Sequence, residues 1–270
     1  MCRWLAYSGP PIPLDRLLFE PENSLIRQSL SARYARSVTN GDGFGLGWYG
    51  SREEPGQYRD IFPAWNDANL RSLSEQIESR LFFAHVRATT GTPTERVNCH
   101  PFRHGRWLFM HNGAIADYEA LRYALDRRIP DTLYAARQGN TDTEAMFMLA
   151  LANGLKSDPH AAMAKTVAEI EQVASAEGVD GPLQMTVAAS DGERVFAFRY
   201  SSDGASPSLY FIGEEGLATR IRGDVDSAVL VLSEPLDETT DAWSEVPEAH
   251  MLVAAGGEVA LTPFAPSPDA

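Results

Sequence analysis

A layered α+β fold is what this sequence predicts, on three observations. Short runs rich in β-branched and aromatic residues dominate both ends of the chain, and amphipathic helical periods cluster in its middle. The regular strand-helix alternation of a doubly wound parallel sheet is absent. With 44% apolar residues in a chain of 270, there is enough material for one full core. One domain is expected over residues 1–262, followed by a frayed tail at 263–270 rich in Pro and Ala.

In chain order, strands are expected at residues 3–7, 44–49, 81–87, 107–111, 185–189, 195–200 and 228–232. Helices are expected at 67–77, 117–125, 141–151 and 161–174. The third has the clearest start. Thr141-Asp142-Thr143-Glu144 has capping-box spacing, in which Thr141 accepts from the Glu144 amide and Glu144 reaches back. Ile129-Pro130-Asp131 interrupts the chain just before it, and residues 127–140 read as a surface segment in preference to a lid.

The glycine-dense run from Asn40 to Gly50 has the wrong context for a phosphate loop, because it leads into Trp48-Tyr49 as strand and opens no helix. Glycine alternating with Phe44, Leu46 and Trp48 describes a strand whose bare face admits another layer.

A net charge of −14 excludes a phosphate-backbone partner of the usual kind, which needs clustered Lys and Arg, so no nucleic acid is expected. No run approaches about 18 consecutive apolar residues, and the start of the chain has no signal-peptide core, so no membrane association is expected. Two cysteines, Cys2 and Cys99, cannot build a disulfide framework, and a reducing cytoplasm fits them.

His85, His100, His104 and His111 beside Cys99 suggest a metal site, but no ligand pair sits at helical spacing, and Arg103 and Arg106 would repel a cation. Ordinary hydrogen-bonded histidines are favoured, and neither metal nor cofactor is expected. Cys99 with a histidine could form a thiol dyad; a buried, inert cysteine is the commoner fate.

Four other places make more sense together than singly. Removal of Met1 would give Cys2 a thiol and a free α-amine, a nucleophile and a base on one residue. Arg87 offers a bidentate fork for a carboxylate, Asn112-Gly113 an amide side chain and an unhindered N–H for an oxyanion, and Asp142 a counter-charge for an ammonium. These parts would hold an amino acid by its head and cleave its side-chain amide. Each also has a plainer use: a surface ion pair for Arg87, a turn for Asn112-Gly113, a helix-dipole partner for Asp142.

Five segments in one order then resemble the class-II glutamine amidotransferases, which are N-terminal-nucleophile hydrolases. They are Met1-Cys2, His85-Val86-Arg87-Ala88-Thr89-Thr90-Gly91, Asn98-Cys99-His100-Pro101, His111-Asn112-Gly113 and Thr141-Asp142-Thr143-Glu144. The resemblance implies a four-layer αββα sandwich of two antiparallel sheets. It implies that Cys2 attacks a γ-amide with its own α-amine as base, and that Asn112 and the Gly113 N–H hold the oxyanion. Arg87 would then bind the substrate carboxylate, with Thr90 nearby, and Asp142 the ammonium.

Ala88 and Gly91 depart from the amino-sugar synthases of this class, and the chain leaves no room for their second domain. Cys2-Arg3-Trp4, the glycine run, Ser233-Glu234-Pro235, Trp243 and Val246-Pro247 resemble the stand-alone members, which include an ergothioneine-pathway γ-glutamyl hydrolase and glutathione-degrading relatives. A small γ-glutamyl compound is thus the expected substrate. Two alternatives stay open: a glutaminase subunit delivering ammonia to a separate synthetase, and a catalytically silent binding domain. The partners left open are a separate synthetase and a second copy of this chain.

Overall fold

The computed structural model describes residues 2–32, 39–89 and 93–269. Among them the strands form two antiparallel sheets of seven and six. The first contains β1 (Arg3–Pro13), β2 (Phe44–Trp48), β3 (Gly56–Asp60), β4 (Glu78–Val86), β9 (Tyr210–Ile212), β10 (Val229–Leu232) and β11 (Ser244–Glu245), in the order β11-β9-β10-β1-β4-β2-β3. The second contains β5 (Phe102–His104), β6 (Trp107–Ile115), β7 (Leu183–Ser190), β8 (Val195–Ser201), β12 (His250–Ala255) and β13 (Glu258–Pro263), in the order β13-β12-β8-β7-β6-β5.

Period-two alternation divides the core into three slabs. Trp4 and Ala6 of β1, Leu81 and Phe83 of β4, and Val229 and Val231 of β10 meet Leu108 and Met110 of β6, Ala188 of β7 and Ala197 of β8 between the sheets. The alternate residues of the first sheet, Leu5, Tyr7, Phe82, Ala84, Leu230 and Leu232, face α1 (Asp15–Leu18), α2 (Leu25–Leu30), α3 (Ala68–Gln76) and α8 (Glu214–Leu217). Those of the second sheet, including Phe109, Val187 and Phe198, face α4 (Tyr118–Asp126), α5 (Asp131–Tyr134), α6 (Asp142–Ala152) and α7 (Pro159–Ala176). This is the four-layer αββα sandwich.

The expected strands and helices are all present, most with ends within a few residues of the reading, but β1 runs on to Pro13, six residues past the expected end. In α6 every residue from Thr143 to Leu151 is buried, as befits a helix apolar on all sides. Phe147 stacks on Phe109 with ring centroids 5.0 Å apart, fixing this helix to β6; such a buried ring is worth about 3–5 kcal/mol against alanine. The capping box forms only in half. Thr141 Oγ1 accepts from the Glu144 amide at 3.1 Å, but Glu144 turns to the amides of Gln138 and Gly139, at 2.9 and 2.7 Å. Those two donors have no helix of their own to satisfy them, and the carboxylate serves both.

Residues 127–140 run largely over the surface, tied down by Arg137, which reaches Asp126, Tyr118 and the Thr141 carbonyl. Past β13, Phe264 is buried against Phe198 and Tyr200, and the Ser267 amide donates to the Ala164 carbonyl at 3.1 Å. No helix among the described residues is long and apolar enough to cross a membrane.

Candidate active site

Strands β1 and β4 pair with Arg3 opposite Val86, a register that carries Cys2 to the side of Arg87. The Ala88 amide donates to Cys2 Sγ at 3.4 Å. Alternation places Cys2, with Trp4 and Ala6, on the face between the sheets. Burial pushes its thiol up from the usual cysteine range, opposed by the Ala88 N–H and by the positive charges of Arg87 and Arg3. A thiol so raised needs a base to become a nucleophile.

Arg87 continues the ladder beyond β4: its amide donates to the Gly43 carbonyl at 2.8 Å, and its own carbonyl accepts from Asp42 at 3.0 Å. Its side chain is 3% exposed for the whole residue, and the guanidinium leans on the Asp42 and Pro93 carbonyls and the Thr89 hydroxyl, all at 3.3–3.4 Å. Asp42 closes the arrangement by accepting the Thr89 amide at 2.8 Å. Gly43 makes this possible with φ +111°, where a Cβ would lie 2.6 Å from Cys99 Sγ. Thr90 lies outside the described residues, as do Met1 and Gly91.

The bare strand face behaves as expected. A Cβ on Gly45 would meet the His100 carbonyl at 2.2 Å, and one on Gly47 the Pro101 ring and Leu108 at 2.8 and 2.9 Å. Both glycines let the second sheet and the 99–101 loop close on β2.

Asn112 and Gly113 lie in β6, opposite Thr186 and Met185 of β7. Asn112 shares the phase of Leu108 and Met110 and so faces the seam where Cys2 lies. Its residue is 1% exposed, yet among the described residues neither side-chain oxygen nor nitrogen has a hydrogen-bond partner. An unpaired buried amide costs about 1–3 kcal/mol, and folding leaves it uncompensated. The Trp4 indole crosses the seam to donate to Thr186 Oγ1 at 3.2 Å, linking the Cys2 strand to the residue paired with Asn112. Gly113 has φ +149°, and a Cβ there would lie 1.8 Å from the Gln184 carbonyl.

Asp142 opens α6. Its Oδ2 accepts from the Ile115 amide at 3.0 Å and its Oδ1 from the Thr143 amide at 2.7 Å, so the helix start is joined to the end of β6, three residues from Asn112. Cys2 thus meets the backbone of Ala88, the residue after Arg87, Asn112 is linked to the Cys2 strand through Trp4 and Thr186, and Asp142 is tied to the Asn112 strand through Ile115.

Three histidines are packed beneath these strands. The His85 and His100 rings lie with centroids 4.2 Å apart and tilted by 46°, His85 Nε2 lies 3.3 Å from the His111 carbonyl, and His111 Nδ1 lies 2.9 Å from Thr143 Oγ1. Burial lowers His85 to about 3 and depresses His100 and His111 too, for the last against the attraction of Asp142. They are neutral structural groups. His104, read as loop, ends the short strand β5. No three His, Cys, Asp or Glu among the described residues could gather a metal ion. Cys99 is buried, donates to the Asp60 and Glu95 carbonyls, and is pushed up to about 11 by burial.

Residues that motif reading missed lie behind the nucleophile. Arg3 and Glu234 form a buried ion pair at 2.7 Å, Arg3 Nη1 donates to the Cys2 carbonyl at 2.7 Å, and Ser233 exchanges two hydrogen bonds with the Trp4 backbone. Their only sequence signal was the Cys2-Arg3-Trp4 start and the Ser233-Glu234-Pro235 run.

The family profile described as "Glutamine amidotransferases class-II" matches residues 21–213. The chain is 32% identical to the probable glutamine amidotransferase DUG3 of Saccharomyces cerevisiae, over 98% of this chain and 84% of that protein. It is 28% identical to the gamma-glutamyl-hercynylcysteine sulfoxide hydrolase of Mycolicibacterium smegmatis, over 98% and 100%. Among solved structures, a glutamine aminotransferase class-II domain protein from Silicibacter pomeroyi is 36% identical, covers 98% of this chain and 100% of its own, and superposes with a TM-score of 0.77. A phosphoribosylpyrophosphate amidotransferase from B. subtilis, 16% identical with a TM-score of 0.62 over 98% of this chain and half of its own, shares the fold.

Proposed function

This chain belongs to the class-II glutamine amidotransferases, and on that premise we propose that it hydrolyses the γ-amide of glutamine or of a γ-glutamyl compound through a thioester on Cys2. Removal of Met1 frees the α-amine, which takes the thiol proton. With ordinary values of about 8.5 for a thiol and 7.7–8.0 for an α-amine this transfer would cost little; burial raises the Cys2 thiol and makes it uphill, so the amine has to take the proton as the sulfur attacks. The sulfur attacks the γ-carbonyl carbon, and the new oxyanion accepts from the Asn112 amide and the Gly113 N–H. The ammonium gives its proton to the leaving nitrogen, the C–N bond breaks, and water, deprotonated by the same amine, releases glutamate and restores the thiol.

Arg87 pairs with the substrate α-carboxylate, assisted by Thr90, and Asp142 with its α-ammonium. The observation that carries this reading is the Asn112 amide, buried and without a hydrogen-bond partner among the described residues, on the inter-sheet face it shares with Cys2. An oxyanion donor has to be held ready without a partner until charge develops. Similarity to a γ-glutamyl hydrolase over the full length of both proteins favours a stand-alone hydrolase.

Purified protein with Met1 removed, verified by mass, is offered a panel of γ-glutamyl compounds and read by glutamate release. Activity should disappear in Cys2→Ala while the thermal transition stays in place. Undiminished release by that variant rejects the mechanism.

A further inference from the structure

We propose that the buried Arg3–Glu234 pair is a positioning device for the nucleophile, a role that rests on the reading of Cys2 above. The two side chains are 2% and 0% exposed and meet through Nε and Oε1 at 2.7 Å. Burying two charges usually costs more than their attraction returns, and an apolar pair of similar volume serves stability as well or better. Among the described residues Arg3 Nη2 also stays buried without a partner, a further penalty on the fold. Stability alone therefore does not account for the pair.

Its geometry does. Arg3 Nη1 donates to the Cys2 carbonyl at 2.7 Å, gripping the main chain of the residue whose amine and thiol have to stay aligned. A freed N-terminal residue has no preceding peptide to hold it, so this grip replaces the missing restraint. Glu234 is itself anchored: its carbonyl accepts from Gln28 Nε2 at 3.3 Å, and the next carbonyl, of Pro235, from Asn23 Nδ2 at 2.7 Å. Ser233 bonds the Trp4 amide through its hydroxyl at 3.1 Å and donates its own amide to the Trp4 carbonyl at 3.0 Å. Segment 233–235 is thus a brace, and Arg3 transmits its position to Cys2. The head-group contacts at Arg87 and Asp142 lie on other elements, so loss of the brace should reduce turnover and leave substrate binding in place.

The test compares the apolar double variant Arg3→Met/Glu234→Leu with Arg3→Lys, a cation too short to span Glu234 and the Cys2 carbonyl together. Cys2→Ala runs in parallel, and N-terminal mass confirms Met1 removal throughout. Both brace variants should lose at least about tenfold in kcat, as small misplacements of reacting groups do, with KM changed less than about twofold and the thermal midpoint of the double variant held or raised. If the double variant does not fold, Arg3→Lys alone decides by the same kcat and KM split. Wild-type kcat in a folded brace variant, or KM and kcat falling with stability, overturns the positioning role while an inactive Cys2→Ala leaves the nucleophile assignment intact. An active Cys2→Ala removes both.

Discussion

The Trp4 indole donates to the Thr186 hydroxyl at 3.2 Å, one hydrogen bond that spans the two sheets where Cys2 and Asn112 converge. Thr186 is fully buried, so Thr186→Val strands the indole N–H and should cost about 1–3 kcal/mol. Trp4→Phe should lower stability as well, and the double variant should cost about 1 kcal/mol less than the sum. Urea unfolding of the three variants measures this coupling; strict additivity would show that the bond does not join the sheets energetically.

Asn112→Ala separates stability from chemistry. Its amide has no partner among the described residues, so its removal should leave the unfolding midpoint unchanged or slightly raised. Loss of an oxyanion donor should lower kcat by about a hundred- to a thousandfold. A variant that loses stability and keeps its turnover would give Asn112 a structural role in place of this one.

Gly113→Ala should behave in the opposite way. The new methyl group would meet the Gln184 carbonyl at 1.8 Å in a backbone conformation that side chains rarely adopt, and we expect destabilisation of about 3 kcal/mol or more. Expression yield and thermal midpoint report it, and a variant as stable as the parent would show that β6 and β7 can part locally.

Acid should unfold the protein partly through its buried histidines. His85 titrates near 3 in the folded state and at about 6.5 unfolded, so below pH 6.5 the unfolded chain binds the extra proton. Stability is therefore complete above about pH 6.5 and falls as pH drops toward 3, by about 1.4 kcal/mol per pH unit for this residue, with His100 and His111 acting in the same direction. Urea midpoints between pH 7 and 5 test the slope, which His85→Phe should reduce; equal slopes would contradict a neutral buried His85.

Cys99 and Cys2 should differ sharply toward an alkylating reagent at pH 8. Burial raises both thiols, Cys99 to about 11, but Cys2 is only partly buried and, with Met1 removed, carries its own α-amine as a base, so peptide mapping should find the label on Cys2 alone. Cys99→Ala should keep activity within about twofold of wild type, and inactivation in a stably folded variant would revive the dyad with a histidine.

How much of this was legible in the sequence depended on how local its cause is. Strands buried on both faces, such as β4 and β7, carry short apolar runs, Leu81-Phe82-Phe83-Ala84 and Val187-Ala188-Ala189, and were readable. Edge strands were not: β3 is half-buried throughout with the polar sequence Gly-Gln-Tyr-Arg-Asp, and β13 is mostly exposed. Asn112-Gly113 and Asp142 stood out because a glycine and a helix cap flank them. The Arg3–Glu234 link joins residues 231 apart and follows from pairing across the sheet, which no local period encodes. Glu144 was misassigned because its competing donors, Gln138 and Gly139, come from a loop whose path only the tertiary structure sets.

The bond from the Ile115 amide to Asp142 gives the proposed ammonium clamp an internal reporter. A substrate that draws on the same carboxylate has to share it with a backbone proton whose exchange into deuterated solvent is measurable one residue at a time. Occupancy of the clamp could then be read at Ile115 without any turnover, even in a variant that has lost its nucleophile.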